Sequence, residues 1–211
     1  METFAKDIMD KTTNELIRES LSKAMDYETY TQLVAEHAKN GSTTGPNQTE
    51  SLINYTVLND KRMKRWNKTL KISEEAKTKI ALAEKEVTWL VLTESWCGDA
   101  APTMPVMNKV AELNENVNLK IILRDEHTDL MNRFLTNEAM SIPKLIAFDE
   151  QNDNIIGSWG PRPSTATKMV TAYKEEHGKL TPEFKQDLQV WYNKDKGQDT
   201  VKDMLSLLSL K

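Results

Sequence analysis

The spacing of apolar residues changes along the chain, and each change marks an element. Near the start they recur at helical intervals. Leu16, Ile17, Leu21 and Ala24 hold one face, and Tyr30, Leu33, Val34 and His37 hold another. Residues 1–40 therefore read as helical, with Asp26 placed to cap the second helix. The stretch 41–47, Gly-Ser-Thr-Thr-Gly-Pro-Asn, is loop chemistry and is expected to be mobile. A long helix is predicted over 49–70, with Leu52, Tyr55, Met63, Trp66 and Leu70 along one side. Lys61, Lys64, Arg65 and Lys68 occupy the other side. Ser73 then opens a helix expected to run to residue 86, with Glu74 and Glu75 at the positive end of its dipole.

From residue 87 the pattern tightens. Val-Thr-Trp-Leu-Val-Leu-Thr, 87–93, is apolar and partly β-branched, which predicts a buried strand. Met107, Val110, Ala111 and Leu113 predict a helix over about 99–114. A strand at 117–123, a helix at about 127–135 and strands at 144–148 and 155–158 come next. The polar run 149–154 joins the last two strands as a hairpin. Ala166, Met169, Val170 and Tyr173 define a helix over about 164–177, and Gly178 ends it. The first crossover should be right-handed, with its two strands parallel. In the tail, Thr181-Pro182 starts a helix carrying Phe184, Leu188 and Trp191. Lys196-Gly197 breaks it, and Val201, Met204, Leu205 and Leu208 form a last apolar face. The chain reads as a single domain, 1–211, with an α/β core at about 87–177. Helical extensions occupy about 1–86 and about 178–211.

Composition narrows the function classes. A net charge of −4 gives no reason to expect nucleic acid or an anionic membrane as partner. The basic face of the 49–70 helix reads as a solvated surface, the alternative being an acidic partner or nucleic acid. No apolar run is long enough to span a bilayer, and the first residues lack the order of a signal peptide. His37, His127 and His177 are scattered, so no metal site is expected. The Gly41–Gly45 stretch lacks the Lys-Ser/Thr of a phosphate loop. One cysteine in 211 residues excludes an internal disulfide and suits a reducing compartment, the cytoplasm.

That cysteine, Cys97, stands where the 87–93 strand turns into the next helix. Free N–H groups and the helix dipole favour an anion there and lower a thiol from its usual pKa of about 8.5. Asp99 and Glu94 oppose that effect. The expectation is a moderate depression, and the competing reading is a buried, inert cysteine.

Together with the residues on to 177, this stretch resembles the thioredoxin family. The family's Trp-Cys-x-x-Cys turn reads here Trp96-Cys97-Gly98-Asp99-Ala100. Pro105 stands at the family's helix proline, and Ile142-Pro143 precedes the strand Lys-Leu-Ile-Ala-Phe148 as the family's cis-proline does. The likeness covers about 87–177 and implies a thioredoxin-like fold, a mixed sheet flanked by helices. It implies a catalytic Cys97 beside a groove of Trp96, Gly98, Asp99, Ile142 and Pro143. Trp159-Gly-Pro-Arg-Pro163 and the extensions look like a bacterial branch of poorly defined function. Arg162 in that run could recognise an anion or pair with a nearby acid. Trp96 is expected as a partly exposed platform and Trp89 as core.

Two departures bear on activity. Ala100 replaces the resolving cysteine, and Val91 stands where dithiol members bury an acid. An internal dithiol cycle is impossible. The resemblance then implies a monothiol oxidoreductase acting through Cys97 on a protein or small thiol or disulfide. An external low-molecular-weight thiol would resolve the mixed disulfide, and no other cofactor is implied. Two alternatives stay open: a redox-inactive binding module that keeps the groove, and a sensor whose Cys97 is capped by oxidation.

Overall fold

Residues 11–208 are described in a computed structural model of the chain. The apolar run forms an inner strand, β1, Val87–Thr93, buried at every position. Strand β2, Val117–Leu123, lies parallel to it on one side, with Trp89 opposite Leu119. Strand β3, Lys144–Asp149, lies antiparallel on the other, with Trp89 opposite Ala147. Strand β4, Asn154–Trp159, completes the hairpin, giving the order β2-β1-β3-β4. The inner strands are covered on both faces and so are almost wholly apolar. The edge strand β4 is only half-buried and carries polar residues. At the opposite edge Met25 exchanges two backbone hydrogen bonds with Ile121, at 2.9 and 2.8 Å, which covers β2.

The helices α1, Thr13–Leu21, and α2, Tyr27–Asn40, match the N-terminal stripes. The Asp26 carboxylate accepts from the Thr29 N–H at 2.8 Å as the cap of α2. The part of the N-terminal helical reading that falls on residues 1–10 lies outside the described residues. Helix α3, Glu50–Thr69, is capped by Thr49. Its stripe divides. Met63 and Trp66 are buried, whereas Tyr55 stands 38 % exposed. The four basic residues of its far face are exposed.

Helix α4, Glu74–Ala81, is shorter than the spacing predicts. The Asn114 side chain donates to the carbonyls of Ile80 and Ala83 at 2.6 and 2.8 Å and satisfies that end of the helix. Helix α5, Ala100–Ala111, comes after the cysteine turn and packs its apolar face on the sheet. The helix expected at about 127–135 is reduced to a 3-10 turn, Arg124–Glu126, and a single turn α6, Thr128–Met131. His127 offers α6 no side-chain cap, and Leu135 is 42 % exposed, so nothing sustains a further turn.

Helix α7, Ser164–His177, comes after β4. Pro163 at its N-cap offers no side-chain acceptor. The last two helices are α8, Pro182–Asp195, and α9, Gln198–Leu208. From α9, Asp203 accepts from Ser164 N–H and Ser164 Oγ, each at 2.8 Å, and Asp199 accepts from Thr165 N–H at 2.7 Å. The missing cap of α7 is thus supplied by another helix. Asp203 also accepts from Trp159 Nε1 at 2.8 Å.

The sheet, α5, the N-terminal helices and Val201, Met204 and Leu207 of α9 share one core. A second cluster joins Trp66 of α3, Ala166 and Val170 of α7 and Phe184, Leu188 and Tyr192 of α8. This is a mixed four-stranded sheet flanked by helices, of thioredoxin-like α/β class. Among the described residues no helix is long and apolar enough to cross a membrane.

Candidate functional site

The turn between β1 and α5 is held by its own backbone. Cys97 N–H donates to Glu94 O at 3.1 Å, and Ala100 N–H donates to Cys97 O at 3.2 Å. The side chain of Cys97 points inward and is 6 % exposed. Its Sγ donates to the carbonyl of Ile142 at 3.2 Å. The Ile142–Pro143 peptide bond is cis, as is Gly160–Pro161. Gly160 sits at φ +114°, and a Cβ there would lie 2.1 Å from Pro143 O. Only glycine allows the two proline loops to close together beside the cysteine.

Burial pushes the Cys97 thiol up to about 12, and the Asp99 carboxylate adds to the rise. The N–H groups of Ala100 and Asp99, and then Arg162, pull the other way without offsetting it. The expected moderate depression is therefore corrected. Helix-terminus assistance is present, but desolvation of a buried thiolate outweighs it.

Asp99 does not cap α5 with its side chain. Its Oδ2 pairs with Arg162 Nη2 at 2.7 Å, and its Oδ1 accepts from the Tyr192 hydroxyl at 3.1 Å. Burial raises its carboxyl above the usual range, while Arg162 and Tyr192 hold it down. Of the two readings of Arg162, the geometry realises pairing with a nearby acid. Its Nε is buried with no partner among the described residues.

Behind the turn lies a web of small polar groups. Ser95 Oγ meets Thr43 Oγ1 at 3.0 Å and Thr56 Oγ1 at 2.9 Å, and accepts from Thr44 N–H at 3.0 Å. The Thr44 hydroxyl donates to the Glu94 carboxylate and accepts from Ser95 N–H at 2.9 Å. Glu94 also accepts from Asp125 N–H at 2.9 Å and is itself buried, which raises its carboxyl. The 41–47 loop, expected to be mobile, is instead anchored by buried Thr43 and Thr44 to the strand end that carries the cysteine.

Trp96 is half-buried under Arg124, whose guanidinium sits 4.9 Å from the ring centre. Arg124 Nη2 pairs with Asp125 Oδ1 at 2.6 Å. Trp89 is fully buried. Trp96, Cys97, Gly98, Asp99 and Ile142 line a cavity of about 610 Å³. Pro143 is buried and does not line it. Arg124, Met140 and Arg162 of the core also line it, and the extensions add Leu52, Tyr55, Leu58 and Arg62 from α3 and Lys185 and Leu188 from α8. The sequence spacing places Leu52, Tyr55 and Leu188 on apolar helix faces without marking them as walls of a site, and does not single out Leu58, Arg62 or Lys185. The early interruption of the α3 stripe by half-exposed Leu52 and Tyr55 becomes visible only in three dimensions. Among the described residues no group of acids, histidines and cysteine is placed to hold a metal.

A sequence profile of the thioredoxin family matches residues 45–174. The fold is similar to the crystal structure of a protein of unknown function from Pseudomonas aeruginosa. That likeness has a TM-score of 0.65 and 18% identity, covering 90% of this chain and 95% of the other. It is also similar to an HIV epitope-scaffold, with a TM-score of 0.56 and 18% identity over 82% of this chain and 96% of that one. No curated protein matches.

Proposed function

Because the chain belongs to the thioredoxin family, we propose that it uses the family's cysteine face as a small-molecule binding site, with Cys97 kept as a protected thiol. The observation that carries this reading is the state of Cys97. It is buried, donates its S–H to Ile142 O at 3.2 Å and is pushed up to about 12. At neutral pH almost none of it is thiolate, and the thiolate is the nucleophile. A concave, mainly apolar cavity with a few fixed polar groups is the ordinary form of a ligand site. A lone reduced thiol suits a reducing compartment, and we place the protein in the cytoplasm.

A second reading is monothiol exchange. It is favoured by Cys97 lining the cavity and by the two helix-start N–H groups, of Ala100 and Asp99, directed at its sulfur. In that cycle the Cys97 thiolate attacks one sulfur of a disulfide, forms a mixed disulfide and expels the other sulfur as thiolate. An external small thiol, itself deprotonated, then attacks the mixed disulfide, regenerates Cys97 and leaves as the new disulfide. Electrons balance because the external thiols are oxidised as the substrate disulfide is reduced.

Intact-mass measurement after exposure to oxidised glutathione decides between them, run from about pH 6 to about pH 10 with Cys97→Ser as control. Protected Cys97 gives negligible adduct near neutrality and adduct only in strong base. Rapid one-to-one adduct at about pH 7 overturns the binding-only reading and establishes the exchange competence that the second requires.

A further inference from the structure

The charges around the cavity do not balance. Arg62, Arg124, Arg162 and Lys185 line it, and Asp99 is the single acid among the lining residues. Two of these cations are committed. Arg162 pairs with Asp99 at 2.7 Å and Arg124 with Asp125 at 2.6 Å. The side chains of Arg62 and Lys185 have no hydrogen-bond or ion-pair partner among the described residues. Lys185 is exposed, but Arg62 is half-buried. A partly desolvated guanidinium without a counter-charge is costly, and an anion would relieve it. This excess of cations stands on a chain whose net charge is −4, so it is a local feature.

The apolar surface is concentrated in the same place. Tyr55, Leu58 and Met140 are 38 %, 39 % and 39 % exposed. They are three of the six large apolar side chains exposed among the described residues, and all three line this cavity. Arg62 and Lys185 stand on α3 and α8, which are tied by Arg65 Nη2 donating to Asn193 Oδ1 at 2.5 Å. Resting on the binding reading above, we infer that the cavity takes a small organic anion with an apolar body. Arg62 and Lys185 hold its charged end, and Tyr55, Leu58 and Met140 hold its body above Cys97. The volume of about 610 Å³ suits a small molecule.

A matched pair of probes tests this on the full chain: 8-anilinonaphthalene-1-sulfonate and its neutral counterpart N-phenyl-1-naphthylamine, titrated by fluorescence. The expected result is saturable one-to-one binding of the sulfonate, weakened by salt and removed by Met140→Trp, which fills the mouth. Arg62→Gln should weaken the sulfonate about tenfold and leave the neutral probe unchanged. Lys185→Gln, at an exposed position, should weaken it about threefold and carries the test if Arg62→Gln unfolds. Equal affinity for both probes, or unchanged sulfonate binding in both variants, overturns the anion inference and leaves the binding reading standing. If neither probe shows saturable binding sensitive to Met140→Trp, the binding reading itself fails and takes this inference with it.

Discussion

The Tyr192 hydroxyl donates to Asp99 Oδ1 at 3.1 Å, tying the C-terminal extension to the residue two positions after the cysteine. Arg162 holds the other carboxylate oxygen at 2.7 Å. A charge that would be unstable in the interior is thus fixed by two partners from distant parts of the chain. Fixed there, it raises the cost of a second negative charge on Cys97.

Removing that charge should therefore make the thiol easier to ionise. Asp99→Asn is expected to shift the pH profile of Cys97 alkylation by iodoacetamide to lower pH. Burial is the larger cause, so the midpoint should stay above the ordinary cysteine value of about 8.5. A wild-type midpoint at or below about 8.5 would contradict the burial account.

Local rhythm makes the strands legible, because β1 and β3 are short, mainly apolar runs bounded by turns and β2 alternates apolar and polar residues before its apolar end. The 164–177 helix is legible for the same reason, its stripe and Gly178 marking both body and end. The state of Cys97 is not. Sequence shows the helix start that favours a thiolate, but not the covering that removes water from it. Tyr192 escapes because its neighbour Trp191 carries the same helical spacing, and only packing selects which ring turns inward. The cavity walls escape because a stripe on α3 reads alike whether it meets a core or a ligand.

Thr44 links the N-terminal loop to Glu94 and Ser95 through one hydroxyl. Thr44→Val keeps the shape and leaves those buried groups without it. The expected loss is about 2 kcal/mol in urea unfolding, with faster amide exchange at Ser95. Thr44→Ser should restore most of both. An unchanged unfolding midpoint in Thr44→Val would show that the web contributes nothing to stability.

At Gly160 the objection is steric. With φ +114° and a Cβ position 2.1 Å from Pro143 O, Gly160→Ala must move backbone. A loss of about 3 kcal/mol or more is expected in chemical denaturation. Gly98→Ala is the contrast, since nothing lies within 4 Å of a Cβ there. Similar losses for the two would refute the close-approach argument.

His127 should give stability a slope in mild acid. Its Nδ1 lies 2.9 Å from the Ser20 hydroxyl, and burial, then Lys23, hold the imidazole below its usual 6.5. Between the lowered folded value and 6.5 the unfolded chain binds more protons. This contribution is therefore complete above 6.5 and is lost as pH falls through that window. Comparing urea midpoints at about pH 7.5 and about pH 5.5, His127→Gln should show a smaller drop than the wild type. An equal drop would place the acid sensitivity elsewhere.

The cap that α9 lends to α7 also has a consequence for biosynthesis. A chain leaving the ribosome offers its N-terminal parts first, and domains commonly begin to fold in that order. Here Asp199 and Asp203, which satisfy the start of α7, emerge after all four strands and after α7 itself. Val201, Met204 and Leu207, which complete the main core, emerge with them. The core therefore cannot close until α9 has left the ribosome. A nascent chain stalled with α9 still in the exit tunnel should expose Trp159 and the core side chains that Val201, Met204 and Leu207 cover.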